Sequence, residues 1–294
     1  MNTMYSIACE QRQYKTYILS NFETATQVEV VPERGGIITS WCSNGKDILY
    51  LDQERFKSPE LSVRGGIPIL FPLCGNLPDD QYSVDGKTYK IKQHGFAREL
   101  PWTVSDQNTD DLAGASLTIL LSSNEETKRV YPFDFNLTFT YTLQGNTLQI
   151  SQEFQNNSAV AMPFSAGFHP YFLCGDKNQL EVAIPSSKYQ DNKTKETHTF
   201  SGNFDFNQDE IDFAFGNLQN NRTSVVDKDR RLKVTIHYDN STSWIVFWTV
   251  KGKDFYCLEP WTATRNAFNT EKNLTILQPG HTHKINLGFK AEFS

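Results

Sequence analysis

The chain has 294 residues, 38% of them hydrophobic and 21% charged, and 34 acidic residues against 28 lysines and arginines give a net charge of −6. A mildly acidic chain lacks the clustered positive charge that holds a phosphate backbone, which argues against a nucleic-acid partner. Its apolar runs fall far short of the about 20 residues that cross a bilayer, so no membrane span is predicted.

The amino-terminal segment and the cysteines indicate the compartment. Residues 1–15 are polar and have no apolar stretch of the kind that a secretory signal requires, which predicts a cytoplasmic protein. The five cysteines are an odd, scattered set without a Cys-x-x-Cys pair. This argues against a disulfide framework and a zinc knuckle, and predicts reduced thiols.

The predicted elements, in chain order, are strands. Apolar residues alternate with polar ones over 27–31 and again over 35–41, which predicts an opening strand pair. Alternation with a central Asp-Gly turn predicts a hairpin over 81–91, and a longer one around Gly145-Asn146 is predicted over 137–154. Residues 244–250 are apolar on both faces, which predicts a strand covered on both sides.

No segment shows the helical spacing of apolar residues over three or four turns, and no internal repeat is evident. The polar stretches 186–203 and 217–231 are predicted to be surface loops, and neither has the composition of an inter-domain linker. The sequence therefore predicts an all-β protein, a large antiparallel β-sandwich with long loops that forms one domain over residues 1–294.

Three short segments place ionisable residues among glycines, prolines and aromatics. The first runs from Arg64 through Gly65-Gly66 to Pro72, with His94 following in Gln-His-Gly-Phe-Ala-Arg. The paired glycines lack the Lys and Ser/Thr of a phosphate-binding loop and are followed by prolines, so a turn or bulge is the plainer interpretation. His94 is equally compatible with a structural role.

The second segment, 164–172, separates its side chains by parity if it is extended. Phe164 and Phe168 then share one face, whereas Ser165, His169 and Tyr171 share the other. A small, polar face around one histidine suits the floor of a pocket better than a core. The proline after His169 favours an extended backbone there, which would aim the imidazole.

The third segment ends a predicted strand at Glu259, before a second proline. Phe255, Cys257 and Glu259 share a face there, so apolar neighbours would raise the pKa of the carboxyl toward that of a working general base. An exposed glutamate at a strand end is the alternative. No cysteine-protease signature surrounds Cys257, so a nucleophilic cysteine is not predicted.

Together these segments resemble the galactose mutarotase-like superfamily. Gly-Gly-Ile-Pro-Ile-Leu-Phe-Pro at 65–72, Gln-His-Gly-Phe-Ala-Arg at 93–98, Phe-His-Pro-Tyr-Phe at 168–172 and Leu-Glu-Pro-Trp at 258–261 occur in the family's order. The chain is similar to aldose 1-epimerases, close to the hexose-6-phosphate mutarotase and LacX-like branches, over about residues 28–289. The resemblance implies a β-sandwich of the supersandwich type.

The resemblance also implies an isomerase that interconverts the α and β anomers of an aldose without a metal or organic cofactor. Glu259 matches the family's general base and His169 its general acid. His94 matches a second histidine that hydrogen-bonds the sugar, and Asp212 matches a substrate-binding aspartate. An acid and a base suffice to open and reclose the sugar ring.

Arg64 and Arg98 match positions that grip a sugar phosphate in the hexose-6-phosphate branch, and a guanidinium suits a phosphate dianion. However, residues 73–80 depart from that branch and bring Asp79 and Asp80, which would oppose a phosphate if they faced the pocket. The expected partner is therefore a small sugar or sugar phosphate, with the hexose-6-phosphate 1-epimerase as the alternative to an epimerase of free hexoses.

Two other classes of function stay open at this point. A non-catalytic sugar-binding or sugar-sensing protein would use aromatic stacking, for which Trp102, Tyr171 and Trp261 lie beside the motifs. A glycoside hydrolase would need two carboxylates, such as Asp212 and Glu259, at a defined separation. Either a monomer or a homodimer is compatible with the sequence.

Overall fold

The structure is a computed structural model that describes residues 4–293. Its strands are β1 (Tyr5–Gln11), β2 (Lys15–Asn21), β3 (Thr26–Val31), β4 (Ile37–Ser43), β5 (Lys46–Asp47), β6 (Ile69–Leu70), β7 (Gln81–Val84), β8 (Lys87–Lys90), β9 (Thr103–Asp110), β10 (Gly114–Ser122), β11 (Phe135–Gln144), β12 (Thr147–Asn156), β13 (Met162–Phe164), β14 (Gly167–Phe168), β15 (Tyr171–Leu173), β16 (Leu180–Ala183), β17 (Lys188–Asp191), β18 (Thr197–Thr199), β19 (Glu210–Phe215), β20 (Arg222–Asp227), β21 (Leu232–Tyr238), β22 (Trp244–Val250), β23 (Phe255–Trp261), β24 (Thr275–Leu277) and β25 (Thr282–Phe293). The short helices are α1 (Gln53–Lys57), α2 (Glu125–Val130) and α3 (Ala267–Thr270), and 3₁₀ turns lie at Pro32–Arg34, Pro78–Asp80 and Lys177–Gln179.

Two large sheets dominate the fold. We call β16-β20-β21-β25-β12-β11-β10-β9 the backing sheet, and β18-β17-β19-β22-β23-β14-β6, with β15 beside β23, the site sheet. β1 to β5 form a third sheet in chain order, and β7-β8 and β13-β24 are two-stranded. The long ladders, such as β11 with β12 and β22 with β23, are antiparallel, which confirms the predicted all-β antiparallel class.

The core lies between the two large sheets. Along β11 every second side chain is buried, which is the period-2 pattern of a strand with one face on a core. Phe139 of β11 packs on Phe168 of the site sheet with ring centroids 6.0 Å apart, and Phe71 packs on Phe154 of β12 at 5.8 Å. The largest cluster of buried apolar side chains runs from Tyr5 to Ala291, which favours the predicted single domain.

The predicted hairpins and opening strand pair are confirmed. β11 and β12 pair from Gln144 opposite Thr147, and β7 and β8 are joined by Asp85-Gly86, both with positive φ. β3 pairs with β4, and β22 lies between β19 and β23 with most of its side chains buried. Residues 1–3 and 294, which the predicted domain includes, lie outside the described residues.

The prediction of two surface loops was wrong. Residues 186–203 contain the hairpin of β17 and β18, and residues 217–231 contain β20 of the backing sheet. In the first segment the polar composition reflects the sheet edge, where β18 is fully exposed, whereas Tyr189 of β17 stacks on Phe213 at 4.2 Å. In the second segment β20 lies between β16 and β21, and polar turns flank it. In residues 4–293, no helix is long and apolar enough to cross a membrane.

The paired glycines of the first motif serve a close backbone approach. Gly66 has φ +62°, and a Cβ at this position would lie 2.2 Å from the backbone oxygen of Ile38. Only glycine accommodates that contact, because any side chain would collide with β4. This fits the plain turn predicted from the sequence and brings Arg64, just before the glycines, to the edge of the site sheet.

Arg34 holds the segment before Arg64 in place by hydrogen bonds. Its buried guanidinium donates four hydrogen bonds to backbone oxygens of residues 56–61, among them 2.8 Å to Ser58 and 2.5 Å to Leu61. We expect Arg34→Leu to lower the free energy of unfolding by about 2–3 kcal/mol, because four backbone carbonyls lose a charged, buried donor. Denaturant titration measures this change.

Arg12→Leu is the control. This exposed arginine pairs only at the surface, so its replacement should lower the free energy of unfolding by less than about 1 kcal/mol. Equal losses in both variants would contradict the role of Arg34.

Candidate active site

A polar cleft of about 380 Å³ opens on the site sheet. It receives side chains from α1, β15, β19, β22 and β23, from the turn between β14 and β15, and from the segments around residues 62–64, 93–98 and 265. The cleft brings together all six side chains that the sequence singled out: Arg64, His94, Arg98, His169, Asp212 and Glu259. Residues up to 195 positions apart therefore converge at one place.

Glu259 and His169 face each other at the floor of this cleft. His169 Nε2 lies 3.4 Å from Glu259 Oε1, and the glutamate side chain is 2% exposed. Tyr171 stacks on the imidazole at 4.7 Å with an interplanar angle of 13°, which confirms that the two side chains share a face. Among residues 4–293, the buried atoms Glu259 Oε2 and His169 Nδ1 have no hydrogen-bond partner.

The protonation of the two groups is shifted in opposite directions. Burial raises the pKa of Glu259 well above its usual value, and the nearby charge of Asp212 adds to this shift. Burial also lowers the pKa of His169 to about 3, helped by the positive charge of Arg98. Between these two values the pair holds one proton, and this proton favours the carboxyl group.

His94 is a neutral hydrogen-bond donor. Its Nδ1 accepts a bond of 3.1 Å from the backbone N–H of Gly75, so the hydrogen of a neutral ring is on Nε2, which lies 3.2 Å from the side-chain amide of Gln93. Burial and the charge of Arg98 lower the pKa of His94 well below its usual value, which keeps the ring neutral. The ring of His169 lies edge-on at 5.5 Å.

Asp212 sits in a network of donors. Arg265 Nη2 donates to its Oδ2 at 2.7 Å, and Asn192 Nδ2 donates to its Oδ1 at 2.8 Å. A second bond of 2.9 Å ties Arg265 Nη1 to Asn76 Oδ1. Each oxygen of Asp212 thus has one protein donor and keeps a lone pair for another.

Four arginines line the cleft, and only two of them face a carboxylate partner. Arg265 pairs with Asp212, and Arg98 Nε lies 3.5 Å from Glu99 Oε1. Within the described part of the chain, the guanidinium of Arg64 makes no hydrogen bond or ion pair, and that of Arg55 bonds only the backbone oxygen of Ser62, at 3.1 Å. Positive charge is therefore uncompensated at the Arg55 and Arg64 end.

Aromatic rings form the apolar part of the walls. Tyr171, Trp248 and Trp261 line the cleft, and Trp248 donates through Nε1 to Glu210 Oε1 at 2.8 Å. Trp102, which the sequence offered as a sugar-stacking residue, lies elsewhere. It is buried against Phe139, and its Nε1 donates to the backbone oxygen of Ala97.

One group of side chains has the composition of a metal site. His169, Cys257 and Glu259 each bring one potential ligand atom within 4.8 Å of the others. Burial raises the pKa of the Cys257 thiol well above its usual value, whereas metals bind the thiolate. The donor set therefore fits a metal poorly, and the absence of a metal or cofactor stays a prediction.

Sequence reasoning missed Arg55, Arg265 and Trp248 as parts of this cleft. Arg265 lies only four positions after the Glu-Pro-Trp motif, which was its one local signal. Arg55 belongs to α1, a helix of five residues too short for a periodic pattern. Trp248 was predicted to be core together with the rest of β22, but its side chain is half-buried and lines the cleft.

The family of the chain follows from comparison with known proteins. The family model described as aldose 1-epimerase matches residues 16–290. A protein of Cenchrus ciliaris named "Putative glucose-6-phosphate 1-epimerase" is 26% identical over 232 residues, which are 74% of this chain and 67% of that protein. Protein LacX of Lactococcus lactis is 25% identical over 227 residues, which are 67% of this chain and 74% of that protein. The chain belongs to the aldose 1-epimerase family, a family of isomerases.

Solved structures agree with this membership. The Slr1438 protein of Synechocystis sp. PCC 6803 is 44% identical, with a TM-score of 0.94 over 99% of this chain and 100% of that chain. A galactose mutarotase-like protein of Clostridium acetobutylicum, 20% identical, has a TM-score of 0.84 over the full length of both chains. The predicted galactose mutarotase-like fold is confirmed.

Some curated relatives are matched over only part of their length. The "Putative glucose-6-phosphate 1-epimerase" of Escherichia coli (strain K12) is 31% identical over 163 residues. These residues cover 54% of this chain and 49% of that protein.

Proposed function

We propose that this protein is an aldose 1-epimerase that interconverts the α and β anomers of a hexose by acid–base opening of the sugar ring, with Glu259 and His169 as the catalytic pair. The observation that supports this most is their contact of 3.4 Å in a buried polar cleft. Both residues line the cleft, next to the sugar-binding candidates His94 and Asp212.

The reaction needs one proton moved in each direction. In the form with ionised Glu259 and protonated His169, the carboxylate takes the proton of the C1 hydroxyl and the imidazolium gives its proton to the ring oxygen. The C1–ring oxygen bond then breaks and leaves an open-chain aldehyde. Rotation about C1–C2 exposes the other carbonyl face, and reclosure with the reverse transfers yields the other anomer.

Substrate binding is assigned to the polar walls. His94 Nε2 is placed to donate to a sugar oxygen, and Asp212 keeps a lone pair on each oxygen for a hydroxyl group. Arg98 is proposed to contact the sugar as well, although Glu99 partly occupies it. The chemistry that these groups recognise is that of a small sugar.

A hexose 6-phosphate is the second candidate substrate, favoured by the uncompensated charge of Arg55 and Arg64. A phosphate dianion would find two guanidinium groups there without displacing a carboxylate. Asp79 and Asp80 do not oppose it, because they line a neighbouring groove rather than the cleft. The presence of "glucose-6-phosphate 1-epimerase" among the names of relatives points the same way.

We expect Arg64→Gln to raise KM for a hexose 6-phosphate about tenfold or more while KM for the free hexose changes little, because a charge-assisted bond to phosphate is lost. NMR exchange between anomers measures both constants. Arg129→Gln, on the exposed side of α2, is the charge-matched control. Equal KM changes for both sugars would contradict a phosphate at Arg64.

The function is tested with freshly dissolved α-glucose, α-galactose and glucose 6-phosphate. Polarimetry or NMR follows the approach to anomeric equilibrium with and without the protein, and we expect acceleration for at least one of the three. Tight sugar binding with an unchanged rate would instead support the sugar-binding alternative. Neither binding nor acceleration would contradict both.

A further inference from the structure

We propose that Arg265, held on Asp212, is a positioning residue of the epimerase reaction: it offsets the charge of Asp212 in the cleft that Glu259 also lines, and thereby fixes which member of the Glu259–His169 pair holds the shared proton. This inference rests on the proposed function. It differs from the substrate-binding role assigned to Asp212, because it concerns what the ion pair does to the base and not what it offers to the sugar.

The placement of Arg265 is built by the chain around it. Besides Asp212, its guanidinium is fixed by Asn76, and its aliphatic stem lies against Gly75. A Cβ at Gly75 would lie 2.3 Å from Arg265 Cγ, so any other residue at position 75 would collide with the arginine side chain. Gly75 also donates to His94, which ties the arginine and the sugar-binding histidine to one turn.

Several charged or titratable groups face Glu259 from the elements packed around it. They are His169, Tyr171, Cys74, Cys257, Arg98, Asp212 and Arg265. After burial, the negative charge of Asp212 is the largest influence that raises the pKa of Glu259, and the charge of Arg265 is the largest that lowers it. Loss of either partner therefore leaves Glu259 facing an uncompensated charge.

The sign of the expected effect follows from the proton count. Because the pKa of His169 is lowered to about 3 and that of Glu259 is raised, the pair holds one proton between the two values, and the next proton lost on raising the pH is that of Glu259. The alkaline limb of the kcat profile thus reports Glu259, and the acid limb reports His169. Without Arg265 the alkaline limb should move to higher pH, and without the charge of Asp212 it should move to lower pH.

The kinetic test compares kcat against pH for Arg265→Gln, Asp212→Asn and the double variant. We expect the alkaline limb of Arg265→Gln to lie about 1 pH unit above that of the wild type, and the alkaline limb of Asp212→Asn about 1 pH unit below it. The double variant should return the limb toward the wild-type position. Arg265→Lys keeps the charge and should restore most of the shift seen in Arg265→Gln. A merely structural arginine would lower kcat without moving the limb, and that result would overturn the proposal.

Arg129→Gln is the charge-matched control for the kinetic test. Arg129 is exposed on α2 and lies outside the cleft, so both limbs of its kcat profile should coincide with those of the wild type. A shift of the alkaline limb as large as that of Arg265→Gln would mean that the removal of any positive charge has this effect. That outcome would also overturn a specific role for Arg265.

A second test needs no activity. The difference in thermal stability between a protein and its Glu259→Gln counterpart, followed against pH, reports the pKa of Glu259 in the folded state. In the Arg265→Gln background this difference should keep growing to higher pH than in the wild-type background. Coincident curves would overturn the effect of Arg265, whereas a wild type that anomerises no sugar would overturn the proposed function, so the two failures are distinguishable.

Discussion

Replacement of Glu259 by glutamine is expected to lower kcat by about 10³-fold or more, with little change in sugar binding. The amide has nearly the shape of the carboxyl group but cannot take the proton of the C1 hydroxyl, and general base catalysis of this kind contributes about 10²- to 10⁴-fold. His169→Asn should lower kcat by about 10²-fold or more, because the ring oxygen loses its proton donor. Exchange between the anomers, followed by NMR at saturating sugar, measures both effects.

The control for these variants is the same glutamate-to-glutamine substitution at a position outside the cleft. Glu153 is half-buried on β12, outside the cleft, and pairs with Lys284, so Glu153→Gln should retain the wild-type kcat. Circular dichroism and sugar binding establish that the variants are folded. Full activity in folded Glu259→Gln or His169→Asn would remove the role assigned to that residue.

Glu259→Gln is also expected to make the protein more stable, and increasingly so as the pH rises. The pKa of Glu259 is raised in the folded state, so the wild type favours the protonated carboxyl and loses stability as the pH rises from about 4.3 through the folded-state value. The amide carries no charge at any pH. Each unit of pKa shift corresponds to about 1.4 kcal/mol, or about 2–4 °C in melting temperature.

Thermal unfolding of the two proteins between pH 4 and pH 9 measures this difference. The curves should nearly coincide at the acid end, separate as the pH rises and become parallel once the carboxyl of the folded wild type has ionised. The stability of His169→Asn relative to the wild type should instead increase as the pH falls. The lowered pKa of His169 costs the wild type stability below about pH 6.5, and asparagine carries no such cost. A Glu259→Gln protein less stable than the wild type throughout would contradict a costly buried charge.

The strand pattern of the site could be predicted from the sequence because it depends on local rules. Parity along residues 164–172 put His169 beside Tyr171, and the structure stacks their rings. The same rule put Cys257 and Glu259 on one face of β23. Proline after His169 and after Glu259 marked both positions as backbone-restricted, which is a local signal of an aimed side chain.

What the sequence did not reveal depends on contacts between distant elements. The pairing of Arg265 with Asp212 joins residues 53 positions apart, and no local pattern distinguishes that arginine from one that points to solvent. Trp102 sits beside a motif yet packs into the core, because Phe139 of the backing sheet covers it. Which arginines keep a carboxylate partner likewise depends on packing that periodicity does not encode.

The edge hairpin of β17 and β18 shows a related limit. Its residues are polar and rich in turn formers, which is the usual composition of a loop. The backbone is nevertheless extended, because β17 adds to the edge of β19 and hides Tyr189 against Phe213. Pairing with a preformed sheet edge here outweighs the local propensity of the segment.

The pH dependence of the wild-type kcat tests the central claim most directly, namely that Glu259 and His169 work as a pair that carries one proton. The account predicts a plateau that falls at both ends, with an acid limb from His169 and an alkaline limb from Glu259 that moves when Asp212 or Arg265 is replaced. A rate that rises steadily with pH across the whole range, as hydroxide catalysis would give, would contradict it.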